Sequence, residues 1–174
     1  MAELEQKIIP RVVYIGDIDA KTGKETIMSL MSFDMLSDEP IRVVINSYGG
    51  IVDEMFGIYD AIKTCNAPIM TIGVGKIMSA SVLLLAAGCK GERVIAENAR
   101  ILIHEISAGV CGKLYELENE IAEYRETQDR WEKCLAKETG HAQSLIQGFM
   151  NTHSDVYLSP AEAIDFGMAD KVVG

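Results

Sequence analysis

The sequence has no apolar run approaching the roughly 20 residues needed to cross a bilayer. Its longest, from Ile77 to Cys89, reads instead as a helix buried in a core. The N-terminal MAELEQKIIPR carries no apolar stretch of signal-peptide length, and its acidic residues do not suit a transit peptide, so a cytoplasmic compartment is expected. Positive charge is scarce. Lys and Arg number 16 against 26 Asp and Glu, and the net charge of −10 argues against nucleic acid or an anionic membrane as partner. The four cysteines, Cys65, Cys89, Cys111 and Cys134, form no C-x-x-C pair, so neither a zinc site nor a disulfide framework is suggested and reduced, packing cysteines are expected. No linker rich in proline, glycine or serine divides the chain, and 174 residues suit one core, so residues 1–174 read as one domain.

Three chemical signatures are missing as well. GKIMSAS lacks the G-x-S-x-G elbow of α/β-hydrolases, and Gly73-Val74-Gly75-Lys76 lacks the rest of the G-x-x-x-x-G-K-[ST] phosphate loop, so ATP binding is not expected. No H-E-x-x-H or similar ligand cluster points to metal catalysis. No cofactor is expected.

What is present is apolar material in short, punctuated runs: 48% of residues are apolar and 24% charged, enough for a large core. Arg11–Gly16 (RVVYIG) reads as a strand, and Thr22-x-x-Glu25 has the form of a capping box opening a helix from about Gly23 to Ser37. Arg42–Asn46 is a strand stopped by Ser-Tyr-Gly-Gly, after which Val52, Met55, Tyr59 and Ile62 recur at helical spacing. The unit repeats, with Ile69–Val74 as a buried strand and Ser79 to Ala87 as a buried helix closed by Gly88. Arg93–Ala96 and Ile101–Glu105 add two strands, and the fold class is α/β. Leu114, Leu117, Ile121, Tyr124, Gln128, Trp131 and Leu135 then form one stripe on a helix of about 25 residues. Its remaining positions are rich in glutamate, as a solvated face or a projecting subunit contact would be. Ser159-Pro160-Ala161-Glu162 caps a short helix to about Phe166, stopped by Gly167, and Lys171–Val173 reads as a last strand.

A hydrolase needs a nucleophile, a base, an orienting group and donors for an oxyanion. Ser79 lies where a buried strand meets a buried helix, a position equally suited to an N-cap serine. His104 ends the run Ile101-Leu102-Ile103 and is the best-placed base, since His141 and His153 fall in helix-end or loop stretches. Asp155 precedes the strand-like Val156-Tyr157-Leu158. The glycines of Ser47-Tyr48-Gly49-Gly50 offer backbone amides to a substrate oxygen, or simply a tight turn.

Taken in order, these blocks resemble the proteolytic subunits of the Clp protease family. INSYGG (Ile45–Gly50) resembles the family's I-N-S-P-G-G turn, and GKIMSASVLLLAAGCKGER (Gly75–Arg93) its nucleophile segment. NARILIHE (Asn98–Glu105) resembles its histidine strand, and SDVYLSPAEAIDFGMAD (Ser154–Asp170) its aspartate segment. The likeness runs from about Arg11 to Val173. It implies a ClpP/crotonase-type spiral of strand-turn-helix units with a projecting handle helix, the handle region covering about 107–150. It implies a serine endopeptidase in which Ser79 is the nucleophile, His104 the base and Asp155 the third member of the triad, with the backbone amides of Gly50 and Ala80 as oxyanion hole. It also implies an unfolded polypeptide as substrate, self-association into a heptamer or tetradecamer enclosing a chamber, and a hexameric ATPase as partner.

The chain departs from the pattern in four places. Only about ten residues precede the first strand, where the family carries its ATPase-docking loops. Ser154 stands where an arginine precedes the aspartate, Tyr48 where proline is usual, and Ala80-Ser81 where Met-Gly is usual. The short N-terminus fits an alternative, a phage-type prohead or stand-alone peptidase without an ATPase. A crotonase-like acyl-CoA enzyme and an inactive ring subunit are the remaining alternatives.

Overall fold

The computed structural model describes residues 10–150 and 154–174; His153 and most of the N-terminal segment lie outside the described residues. Strand and helix alternate from the start: β1 (Val12–Ile15), α1 (Ala20–Leu36), β2 (Ile41–Ser47), α2 (Val52–Thr64), β3 (Ile69–Met78), α3 (Ser81–Ala86) and β4 (Val94–Ala96). β1, β2, β3 and β4 pair in parallel in that order, so each helix is the crossover that returns the chain to the same end of the sheet. The second half comprises β5 (Arg100–Ile103), α4 (Leu114–Thr139), α5 (Gln143–Met150), β6 (Val156–Leu158), α6 (Pro160–Asp165) and β7 (Lys171–Val173). β7 closes one edge in parallel with β4. The fold is the expected α/β spiral.

Two strands share β3. Its first half pairs with β4 at Ile72 and Gly73, and its last three residues, Lys76 to Met78, pair in parallel with β5. Gly75 between them has φ +64, a left-handed conformation that glycine adopts without steric cost, and a side chain there would press on Asn46 Oδ1 at 3.0 Å. This second partner carries the strand four residues past the expected end at Val74. The apolar helix consequently begins at Ser81, not Ser79, and is six residues long.

Helix ends follow the chain's polar residues, with one correction. α1 is capped by Asp19, whose carboxylate accepts from the Thr22 amide at 2.7 Å, so the helix starts three residues before the expected capping box. α6 has the expected box: Ser159 and Glu162 satisfy each other's amides, with Pro160 at the first helical position. α4 ends on Gly140 at φ +80, and α5 follows as a helix that the sequence reading missed. The two exposed cysteines, Cys89 and Cys111, correct the expectation that all four pack; Cys65 and Cys134 are partly buried and all four are free.

The core is the sheet with its flanking helices: Ile15, Ile41, Ile45, Ile58, Leu83, Leu84, Leu85 and Ile101 are fully buried. α4 uses only half of its apolar stripe. Trp131 and Leu135 are buried, whereas Leu114, Ile121 and Tyr124 are exposed. Buried charge sits at the base of α4. Glu138 accepts from Tyr59 Oη at 2.7 Å and pairs with Lys63 at 3.1 Å, while Arg93, 3% exposed, forks onto Asp170 and donates to the Gly167 carbonyl at 2.7 Å. Among the described residues no helix is long and apolar enough to cross a membrane.

Candidate active site

Three neighbouring strands end at one place. β3 stops at Met78, β5 stops at Ile103, and β6, antiparallel to β5, starts at Val156. The next residues beyond those ends are Ser79, His104 and Asp155. The β5–β6 register pairs Ile101 with Leu158, Leu102 with Tyr157 and Ile103 with Val156; carried one step further it sets His104 opposite Asp155. Directly opposed residues in an antiparallel pair lie about 4.5–5.5 Å apart at Cα, within reach of an imidazole and a carboxylate. The β3–β5 register pairs Met78 with Leu102, and the Ser79 amide donates to the Leu102 carbonyl at 2.8 Å. The sheet therefore sets the order Ser, His, Asp across three strands.

Ser79 has φ +55, the one positive φ at a non-glycine residue among those described. An L-residue in this region is strained by about 1–2 kcal/mol. The strain is imposed from both sides, because β3 is held by β5 up to Met78 while α3 begins three residues later, at Ser81. Ser79 is not the helix cap. Its neighbour Ser81 tightens the turn instead: the Ser81 hydroxyl accepts from the Met78 amide at 2.9 Å and faces the Met78 carbonyl at 2.8 Å. A hairpin-sharp strand-to-helix turn lifts the Ser79 side chain out of the core, where it is half-buried.

The Ser-Tyr-Gly-Gly segment packs against that turn. A side chain at Gly49 (φ +98) would approach the Ser79 Cβ at 2.7 Å and the Met78 carbonyl at 2.8 Å, so glycine is required for the approach. The segment is pinned along its length. Ser47 Oγ accepts from the Gly49 amide at 2.9 Å, Asp17 accepts from the Tyr48 amide at 2.8 Å, and Ile18 bonds Gly49 and Ile51 at 2.8 Å each. Tyr48 is exposed, with the Lys76 ammonium 4.3 Å from its ring centre, and it leaves the turn intact where proline is usual. Among the described residues neither the Gly50 nor the Ala80 amide donates a hydrogen bond. Two free N–H groups thus stand beside the serine.

Gly50, Ser79, Ala80 and His104 line one small pocket of about 40 Å³, whose remaining wall is Val52, Ile106, Ser107 and Trp131. Asp155 is exposed and stays outside that lining, one residue before β6. Ile106 also borders a larger groove of about 500 Å³ between residues 105–110 and α4, with Val110, Tyr124 and Glu132 among its walls. Ile106 is the residue common to both linings. Residues 107–113 run along the groove without regular structure. The structure therefore brings Ser79, His104, Gly50 and Ala80 to one pocket, and Trp131, which the sequence reading treated only as part of a helix stripe, is the added wall. Among the described residues no cluster of His, Cys, Asp or Glu is arranged to hold a metal ion.

Residues 4–174 match the Clp protease family model. The chain is 34% identical over 166 residues to the ATP-dependent Clp protease proteolytic subunit 1 of Rhodococcus jostii, covering 94% of this chain and 74% of that one. It is 30% identical over 165 residues to the ATP-dependent Clp protease proteolytic subunit 2 of Pseudomonas aeruginosa, covering 95% and 81%. With the ATP-dependent Clp protease proteolytic subunit 2 of Gluconobacter oxydans the identity is 32% over 177 residues, covering 99% and 78%.

Proposed function

The chain belongs to the Clp protease family, and from that premise we propose that it is a serine endopeptidase whose triad is Ser79, His104 and Asp155. The observation that carries the reading is the position of those three residues at the neighbouring ends of β3, β5 and β6, with Ser79 half-buried in a strained turn. His104 takes the proton from Ser79 Oγ as the oxygen attacks a peptide carbonyl. Asp155 orients the imidazole and stabilises the imidazolium that forms. The carbonyl oxygen, now negative, is met by the Gly50 and Ala80 amides, each such donor lowering the barrier by about 3 kcal/mol. His104 returns the proton to the leaving amine, and water, deprotonated by the same imidazole, releases the acyl group from Ser79.

The substrate is a polypeptide in extended form, adding as a strand beside Gly49–Val52 and Gly109–Gly112. The groove of about 500 Å³ between residues 105–110 and α4 supports this. Self-association into a ring is supported by the apolar half of α4 that the single subunit leaves exposed. An unfolding ATPase partner and a cytoplasmic setting complete the reading; the former is supported by relatives named as ATP-dependent proteolytic subunits.

The test is reaction with a fluorophosphonate probe, read by mass spectrometry. Wild type labels at Ser79 and Ser79→Ala does not. Equal labelling of the two, or none in either, removes the proposal's main support.

A further inference from the structure

The pocket beside Ser79 has a size, and that size selects substrates. With its carbonyl oxygen between the Gly50 and Ala80 amides, the residue on the acyl side of the cut bond would turn its side chain into the same pocket, whose walls besides Gly50, Ser79, His104 and Ser107 are Val52, Ala80, Ile106 and Trp131. That space is about 40 Å³. A cavity needs about 10–15 Å³ of such space to hold one water, whereas one that takes benzene is about 150 Å³. A methyl or hydroxymethyl group fits; an isobutyl or benzyl group does not. Ala80, next to the nucleophile, contributes only a methyl, and Trp131 is the bulkiest side chain of the lining.

The wall is also stiff. Trp131 is 4% exposed, and Leu135, one turn further along α4, is fully buried. One turn earlier on the same helix, Gln128 accepts from the Ile106 amide at 2.9 Å and donates to Glu132 at 2.9 Å, tying the two sides of the pocket together.

We propose that Trp131 restricts cleavage to bonds after small residues, alanine, glycine and serine, and is the specificity-determining residue of the site. This rests on the peptidase reading above. The experiment uses the full chain and a set of short peptide coumarylamides that differ only in the residue before the coumarin: Ala, Ser, Leu and Phe. Fluorophosphonate labelling of Ser79 is scored alongside.

In the wild type, kcat/KM for the alanine substrate exceeds those for leucine and phenylalanine by about tenfold or more, the range one or a few methylenes command in a tight pocket. Trp131→Leu moves the Leu-to-Ala ratio about tenfold toward leucine. Should Trp131→Leu fail to fold by circular dichroism, Ile106→Ala opens the same pocket from the other wall and must shift the ratio in the same direction. Labelling at Ser79 together with leucine or phenylalanine cleaved as well as alanine in the wild type overturns this inference and leaves the peptidase reading standing. Absence of both labelling and cleavage overturns the peptidase reading and takes this inference with it.

Discussion

Asp170→Asn tests the energetic centre of the second half of the fold. The Asp170 carboxylate takes a two-pronged bond from Arg93, Nε at 2.9 Å and Nη2 at 2.6 Å, and the amides of Gly91 at 2.8 Å and Arg93 at 3.0 Å. The Arg93 guanidinium holds this carboxyl well below the usual carboxylate range, from 3.8 to about 2. A depression of that size corresponds to about 2 kcal/mol of stability. The sign is that of a lowered acid: the contribution is complete above about pH 4, the unfolded value, and is lost as pH falls toward about 2. The amide variant loses more than this at neutral pH, because Arg93, 3% exposed, is left buried without its counter-charge. Breaking a buried pair in that way costs about 3–5 kcal/mol. Urea unfolding at fixed protein concentration, at pH 7 and at steps from pH 5 to pH 2, reads both effects. The variant unfolds at markedly lower urea at pH 7, and the gap to wild type narrows by about 2 kcal/mol across the acid limb. A gap under 1 kcal/mol at pH 7, or one that stays constant with pH, refutes the assignment of the pair as a structural strut.

Two further outcomes follow from the site and the helix. Replacing Ser79 by glycine or by alanine abolishes hydrolysis in both cases, but the glycine variant melts higher, by about 1 kcal/mol, because only alanine retains the left-handed strain at φ +55; equal melting points would show that the turn relaxes once the hydroxyl is gone. Leu114→Glu combined with Tyr115→Glu, at positions 74% and 58% exposed in the single subunit, lowers the native mass measured by sedimentation while the circular dichroism spectrum is retained; an unchanged mass would rule out this end of α4 as a contact between subunits.

How far residues can be read without coordinates depends on where their conformation is decided. β1, β2 and β7 are legible because short β-branched runs bounded by breakers suit a strand, and α6 because its cap chemistry lies within four consecutive residues. The end of β3 is not legible, since its last residues are strand only because β5, twenty-four residues downstream in register, supplies their hydrogen bonds. α5 was hidden for a related reason: eight residues are too few for a periodic signal, and Ile146 and Met150 become a helix face through what they pack against. Ser79 combines both effects. Its local sequence is that of an ordinary helix cap, and what removes it from that role is the lengthened β3 on one side and Ser81, bonded to Met78, on the other. The strained turn is thus a product of tertiary pairing. A motif match identifies such a serine, but its conformation depends on β5 being in place. The same logic explains why the stripe of α4 could not be divided in advance into its buried and exposed halves. Trp131 and Tyr124 sit on one face with equal claim to be core, and only the position of residues 105–107 against the helix makes one of them the wall of a pocket and leaves the other in a groove.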